Sequence, residues 1–386
     1  MKVKLDREAS IQTEDKDCSS NSIEGLRLQN AKADELSRLL NIQEIYYEPD
    51  IVNYRRGVEL LEQYSNAARI QVDSHWNIPD LHGNEGAVED WNRIKRTVLV
   101  LGVKKSIGAR KNCRSSNWVA PSHANGCAMA CAYCYVARRK GYANPITTFV
   151  NIERILGYLK RHTAKQGAKN PDQIDPNYWV YEIGENSDCS VDAAISNNVR
   201  DIVTLFRDLP NAKATFATKR VNRSLLSYDP QGKTRIRFSL MPEKMAQVVD
   251  VRTSKMSDRI AAINDFVAAG YEVHLNFSPV IFYEAWIADY VALFRHLDDV
   301  LSDEAKAQLK CEIIFLTHND KLHDVNMGWH PQAESILWQP DIQEEKLSQT
   351  GGRNVRYKRG FKGQLVSQFE ELLRNEIPYC TIRYAF

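Results

Sequence analysis

Apolar and polar positions change rhythm along the chain. Residues 1–28 show no apolar periodicity, so a polar, mobile tail is expected there. "NAKADELSRLLNIQEIYY" (30–47) and "GVELLEQYSNAA" (57–68) then read as helices, and "RTVLVLGVKK" (96–105) as a strand with an apolar run. From residue 151 the alternation becomes regular. "NIERILGYLKRH" places Ile152, Ile155, Leu156 and Leu159 on one helical face, "YWVYEIG" is a strand, and "NNVRDIVTLFRDL" carries a stripe of Val199, Ile202, Val203 and Phe206. "KATFATK" and "TRIRFSL" are strands. "SDRIAAINDFVAAGY" is a helix with Ser257 as its N-cap and Gly270 just past its end. "EVHLNFSPVI", "EAWIADYVALFRHLDDVL" and "KCEIIFLTH" continue as strand, helix, strand.

Such alternation demands a parallel sheet with crossover helices. The expected fold class is α/β, a partial (β/α) barrel of the TIM-like kind with a small α+β lead-in, its chemistry at the C-terminal ends of the strands. An open doubly wound sheet is the runner-up, but no Gly-rich phosphate loop supports it. The expected division is a tail at 1–28, a lead-in at 29–112, and a barrel with a C-terminal extension at 113–386.

Eight cysteines change the picture, because three of them, Cys127, Cys131 and Cys134, fall within "NGCAMACAYCYVARR". The chain has no run of 18 apolar residues and its first residues lack an apolar core, so a cytoplasmic protein without a membrane span is expected. In that compartment thiols stay reduced, and a tight cysteine cluster points to metal or redox chemistry rather than to disulfides. A closed zinc site wants four ligands, usually as two close pairs. Cys113 and His123 lie upstream, but no second C-x2-C pair follows. Three thiolates from one loop suit a cubane [4Fe–4S] cluster with one iron left open.

Formal charge is +2 overall but unevenly spread. Residues 1–90 hold 10 basic and 18 acidic side chains, and residues 91–386 hold 41 and 31. Basic side chains bunch at Arg93, Lys95, Arg96, Lys104, Lys105, Arg110, Lys111 and Arg114, and again in "RNVRYKRGFKG". Either patch suits a polyanion or a solvated face.

"CAMACAYC" has the C-x3-C-x2-C spacing, with aromatic Tyr133 before the last cysteine, that marks radical S-adenosylmethionine (SAM) enzymes. The resemblance narrows with "IYYEPDIVNYRRGVELLEQY", "VDSHWNIPD", "LVLGVKKS", "ATFATKRVN", "GKTRIRFSL", "AGYEVHLNFSPVIFYEAW" and "YKRGFKG". From about residue 45 onward the chain resembles the spore photoproduct lyase family, carbon–carbon lyases of DNA repair.

That resemblance implies a [4Fe–4S] cluster on Cys127, Cys131 and Cys134, with SAM contacted by Ser187, Lys219 and Ser239. It implies reductive cleavage of SAM and hydrogen abstraction from a thymine-type DNA photolesion. Tyr133 and Tyr135 match the family's radical relay, and Arg356, Tyr357, Lys358 and Arg359 match a late stretch near the lesion. DNA and an external flavodoxin- or ferredoxin-type reductant are the implied partners, and a monomer is expected. One position departs: where the family's hydrogen-donating cysteine stands, this chain has Glu185 in "YEIGENSDCS", with Cys189 four residues on as a substitute donor. A carboxylate cannot return a hydrogen atom as a thiol does, but it can accept hydrogen bonds or move a proton. A second reading keeps the radical chemistry and replaces DNA by a small molecule, peptide or RNA base bound by Glu185. A third is a non-catalytic zinc protein that binds nucleic acid.

Overall fold

A computed structural model describes residues 39–82, 85–347 and 353–386. The expected tail, Cys18 and most of the first expected helix lie outside the described residues. The end of that expected helix is not helical: Glu44–Tyr47 is a strand (β1), whose β-branched and aromatic residues pair in parallel with Ala68–Gln71 (β2) and Val98–Gly102 (β3). The helix expected over 57–68 spans Arg55–Gln63 and connects β1 to β2.

Residues 40–386 form one compact unit with three sheets. Two short strands, Arg110–Lys111 (β4) and Trp118–Val119 (β5), lead to Ala124–Asn125 (β6) and, past the cysteines, Ile146–Phe149 (β7). The first sheet has the order β2-β1-β3-β7-β6, so strands from both sides of residue 112 share it.

The main sheet holds β4 and β5 together with Trp179–Glu182 (β8), Ala212–Thr218 (β9), Thr234–Ser239 (β10), Glu272–Val280 (β11), Lys310–Phe315 (β12) and a C-terminal strand, which is β16 after a small antiparallel sheet of Thr317–His318 (β13), Gln343–Leu347 (β14) and Arg353–Tyr357 (β15). β16 is Thr381–Ala385. The order is β16-β12-β11-β10-β9-β8-β5-β4, parallel from β5 to β16, which is the curled half-barrel expected of this fold class. Helices Ile152–Ala164, Asn198–Asp208, Met256–Ala268 and Trp286–Val300 bury the apolar stripes read from the sequence. Ser257 is not a cap. Lys255 occupies that position, because Met256 is itself buried and its N–H donates to Glu243. Gly270 does end the helix, at φ +85°.

The barrel interior is polar, and strand periodicity makes it so. In "TRIRFS" Ile236 and Phe238 join the apolar core, while Arg237 reaches Glu182 on β8 and Glu312 on β12. β8 and β12 are not neighbours in the sheet, so these ion pairs cross the interior. Arg383 completes the group on Glu312 at 2.7 Å. Pairing of this kind is what allows charge to be buried at all. Two residues further along the strands, Ser239 and Asn276 form the uppermost layer, and the interior opens there into a cavity.

Candidate active site

The cavity, of ≈ 500 Å³, lies at the C-terminal ends of the parallel strands. Its wall brings together Cys127, Cys131, Cys134, Tyr133, Tyr135, Glu185, Ser187, Lys219 and Ser239.

The cysteine loop is positioned by backbone contacts. Gly126 opens it at φ +86°, where a Cβ would lie 2.3 Å from the Pro145 carbonyl oxygen, so only glycine fits. Ala130 and Ala132 then donate to the carbonyls of Val251 (3.1 Å) and Val249 (2.9 Å). Cys134 N–H closes onto Cys131 O at 3.1 Å, and the helix Tyr135–Lys140 follows. All three thiols are free. Burial, reinforced by Asp188, pushes the Cys127 thiol up to about 12. Burial and Asp250 hold Cys131 well above the usual thiol range. Thiolates form in such a place only against a strong cationic partner, as when a metal displaces their protons. The set fits an iron–sulfur cluster. Three soft ligands share one wall, and Arg252, just past the segment that holds the loop, has Nε and Nη2 buried without hydrogen-bond partners.

Opposite the thiols stand the strand ends. Asp188 caps the helix Cys189–Ile195 and accepts from Ser190 N at 3.0 Å, Thr218 Oγ1 at 2.9 Å and Lys219 N at 3.1 Å, which fixes the backbone that carries Lys219. Lys219 Nζ lies 5.5 Å from the centre of the Tyr133 ring. Asn276 donates to Ser239 Oγ at 3.3 Å and has its own Oδ1 unpartnered. An ammonium, two hydroxyls and an amide oxygen form a wall suited to a carboxylate, an ammonium and a ribose.

The two tyrosines differ. Tyr133 is partly buried, desolvation and Asp250 raise its pKa, and its hydroxyl donates to Asp250. Asp250 is in turn bound by Arg259 at 3.0 Å. Tyr135 is 43% exposed and donates to the Glu185 carbonyl at 2.5 Å. The Glu185 carboxylate pairs with Arg110, also on the cavity wall.

Cys189 is not on that wall. It is 1% exposed and belongs to the apolar core, with Sγ 2.4 Å from where a Cβ on Gly184 would lie. Tyr357 is also buried: strand alternation turns it inward, and its hydroxyl accepts from Phe282 N at 2.8 Å. Arg356 pairs with Glu344 at 3.0 Å and Lys358 donates to Asp341 O, while Arg359 is exposed at a helix start. The basic surface is extended by residues outside that quartet. Arg114 and Lys362 both lie over the Phe386 ring, at 3.8 and 5.4 Å. Asp250 and Arg252 fall in no stretch that the sequence singles out, and the fold brings them in.

Comparison with known proteins agrees with this geometry. The family described as spore photoproduct lyase matches residues 40–386. The chain is 27% identical over 277 residues to spore photoproduct lyase of Bacillus subtilis, covering 70% of this chain and 77% of that one. It is 24% identical over 346 residues to the Geobacillus sp. enzyme, covering 88% and 97%. A solved spore photoproduct lyase complexed with dinucleoside spore photoproduct superposes with a TM-score of 0.81 at 21% identity, covering 90% of this chain and 99% of that one. A mutant form with bound AdoMet and the same dinucleoside gives 0.80 at 20% identity over the same shares. With the family matched over nine-tenths of its length and the cysteine loop facing the strand ends across one cavity, the chain belongs to the spore photoproduct lyase family.

Proposed function

We propose that this protein is a radical SAM lyase that opens a thymine-type photolesion in DNA, using a [4Fe–4S] cluster and SAM. What those groups supply when bound is one-electron cleavage of the sulfonium into methionine and a hydrogen-abstracting 5′-deoxyadenosyl radical. The observation that carries the reading is the shared wall: the three thiols, Lys219, Ser187 and Ser239 line one cavity. Cys127, Cys131 and Cys134 hold the cluster. Lys219 meets the SAM carboxylate, and Ser187, Ser239 and Asn276 accept or donate around its amine and ribose. Burial around Tyr133 and the cysteine loop excludes water from the reacting centre.

Apart from the cluster ligands, no thiol is on the described wall. The hydrogen that returns to the product therefore comes from Tyr135 or Tyr133. Tyr133 is the better placed, with its hydroxyl oriented by Asp250: the whole hydrogen atom, proton and electron together, passes to the product radical and leaves a phenoxyl radical on the ring. Arg110, Arg114 and Lys362, near the mouth or in the adjoining basic surface, meet the DNA phosphates.

A second reading rests on Glu185. Its carboxylate and Arg110 form a polar pair suited to hold a small molecule, peptide or RNA base instead. One experiment separates the two: anaerobic reconstitution, reduction, and incubation with SAM and dinucleoside spore photoproduct. Deoxyadenosine together with restored thymidine dinucleoside is expected. Deoxyadenosine formed with the lesion left intact would overturn the DNA reading and favour the second.

A further inference from the structure

Two cations stand behind the cysteine loop, and neither forms an ion pair with a carboxylate among the described residues. Lys95, on the helix Val88–Thr97, is 2% exposed and donates to the Cys127 carbonyl oxygen at 3.3 Å. Arg252 follows directly on the segment whose carbonyls hold Ala130 and Ala132. It sits at φ +63°, a left-handed conformation costly for a residue with a Cβ. Its Nε and Nη2 are buried and make no hydrogen bond.

The charges that bear on these two groups are few. Lys95 feels Cys134, Cys127 and Cys131, and is repelled by Arg252. Arg252 feels Cys127 and Cys131, and is repelled by Arg96. No carboxylate of the described residues forms an ion pair with either. Elsewhere in this protein buried cations are paired: Arg237 with Glu182 and Glu312, Arg259 with Asp250, and Arg235 with Asp175. Burying a cation without a partner is costly. Two that repel each other persist only where an anion comes within reach. An iron–sulfur core held by three thiolates is such an anion, and gains further negative charge on reduction.

We propose that Lys95 and Arg252 are the counter-charges of the iron–sulfur cluster, positioning residues that hold it in the three-cysteine loop and raise its reduction potential. The assignment rests on the cofactor reading above. A nearby cation favours the more negative, reduced state, so neutralising either residue makes reduction harder. Arg252 keeps its strained backbone because the guanidinium must face the loop.

The test uses the full chain, reconstituted anaerobically, as Lys95→Met and Arg252→Met beside the charge-conserving Lys95→Arg and Arg252→Lys. Iron content is measured first, then the midpoint potential by electron paramagnetic resonance during a redox titration. The neutral variants are expected to retain less iron or to titrate at more negative potential. The charge-conserving ones should stay close to the parent protein. Unchanged iron and potential in both neutral variants would overturn the proposal. So would equal damage in the charge-conserving pair, since packing rather than charge would then explain the loss. Parent protein that takes up no iron at all would remove the cofactor reading and the proposal with it, an outcome distinct from the other two.

Discussion

Ser187 Oγ donates to Asp192 Oδ2 across 2.6 Å, and His123 Nε2 meets the same oxygen at 3.0 Å. The Ser187 hydrogen is thereby committed inward, and its lone pairs are left for the cavity. A serine held in this way accepts from an ammonium or a ribose hydroxyl and does not donate to one. Asp192→Asn keeps the volume but weakens the charge-assisted bond, worth about 1.5–3 kcal/mol. SAM affinity of cluster-loaded protein, read by calorimetry, is expected to fall ~10-fold, while the melting curve moves little. Unchanged affinity would make the contact purely structural.

Gly184 and Cys189 constrain each other. Gly184 has φ +69°, and an added Cβ would meet Cys189 Sγ at 2.4 Å. Gly184→Ala is therefore expected to destabilise the fold by about 2 kcal/mol, part backbone strain and part overlap. Adding Cys189→Ala removes the overlap and leaves the strain. In denaturant titrations the double variant should be less destabilised than the two single changes summed, with coupling of about 1 kcal/mol. Strict additivity would mean the two do not touch.

Much of this architecture is legible in the sequence because it repeats at short range. Ile152, Ile155 and Leu159 announce a helix within eight residues, and all three are buried. The three cysteines are legible for the same reason: one loop carries them. What is hidden depends on register or on distant pairing. "RNVRYKRG" reads as a basic patch, but strand alternation in β15 sends Tyr357 into the core beside Phe315 and Phe361. The partners of Arg237, Glu182 on β8 and Glu312 on β12, lie 55 and 75 residues away in the chain and are supplied only by the fold. Lys95 and Arg252 come from separate elements and meet only at the cysteine loop. Ser257 carries the chemistry of a cap, yet burial of Met256 starts the helix two residues earlier, with Lys255 at the cap.

The two tyrosines should separate by substitution. Tyr133→Phe leaves Asp250 with Arg259 as its partner and removes the proton acceptor pairing of the phenol. Tyr135→Phe removes a donor to a carbonyl. SAM cleavage should survive in both, because neither ring supplies a cluster ligand. Formation of repaired dinucleoside is expected to drop ~10-fold or more in Tyr133→Phe and less in Tyr135→Phe. Chromatography of deoxyadenosine and thymidine products from the same reaction gives both readings, and an equal fall in the two products would count against a relay.

Phosphate binding should depend on pH through Lys362. Burial, with Arg356, Lys346 and Arg114 nearby, lowers its pKa from 10.5 to about 8. The ammonium is thus charged below about pH 8 and loses its proton as pH rises past that value. DNA affinity, measured by fluorescence anisotropy at fixed salt, is expected to weaken between pH 7 and pH 9. Lys362→Met should flatten that dependence and lower the slope of affinity against salt by about one counterion. A parent protein with no change over this range would rule Lys362 out of the interface.

Glu185 offers the most direct test of how the product gets its hydrogen. Its pair with Arg110 involves a side chain that is 60% exposed, so breaking it should cost no more than about 1 kcal/mol. Glu185→Cys places a thiol on the cavity wall beside the Tyr135 hydroxyl bond. A thiol exchanges its hydrogen with water and gives it up readily to a carbon radical. In deuterated water the variant should put deuterium into the restored thymine methyl group and turn over faster than the parent protein. The parent is expected to place less deuterium there, because the Tyr133 hydroxyl is held by Asp250 and exchanges more slowly. Identical rates and identical labelling in the two proteins would mean that residue 185 does not face the lesion, and that the donor must be sought elsewhere on the wall.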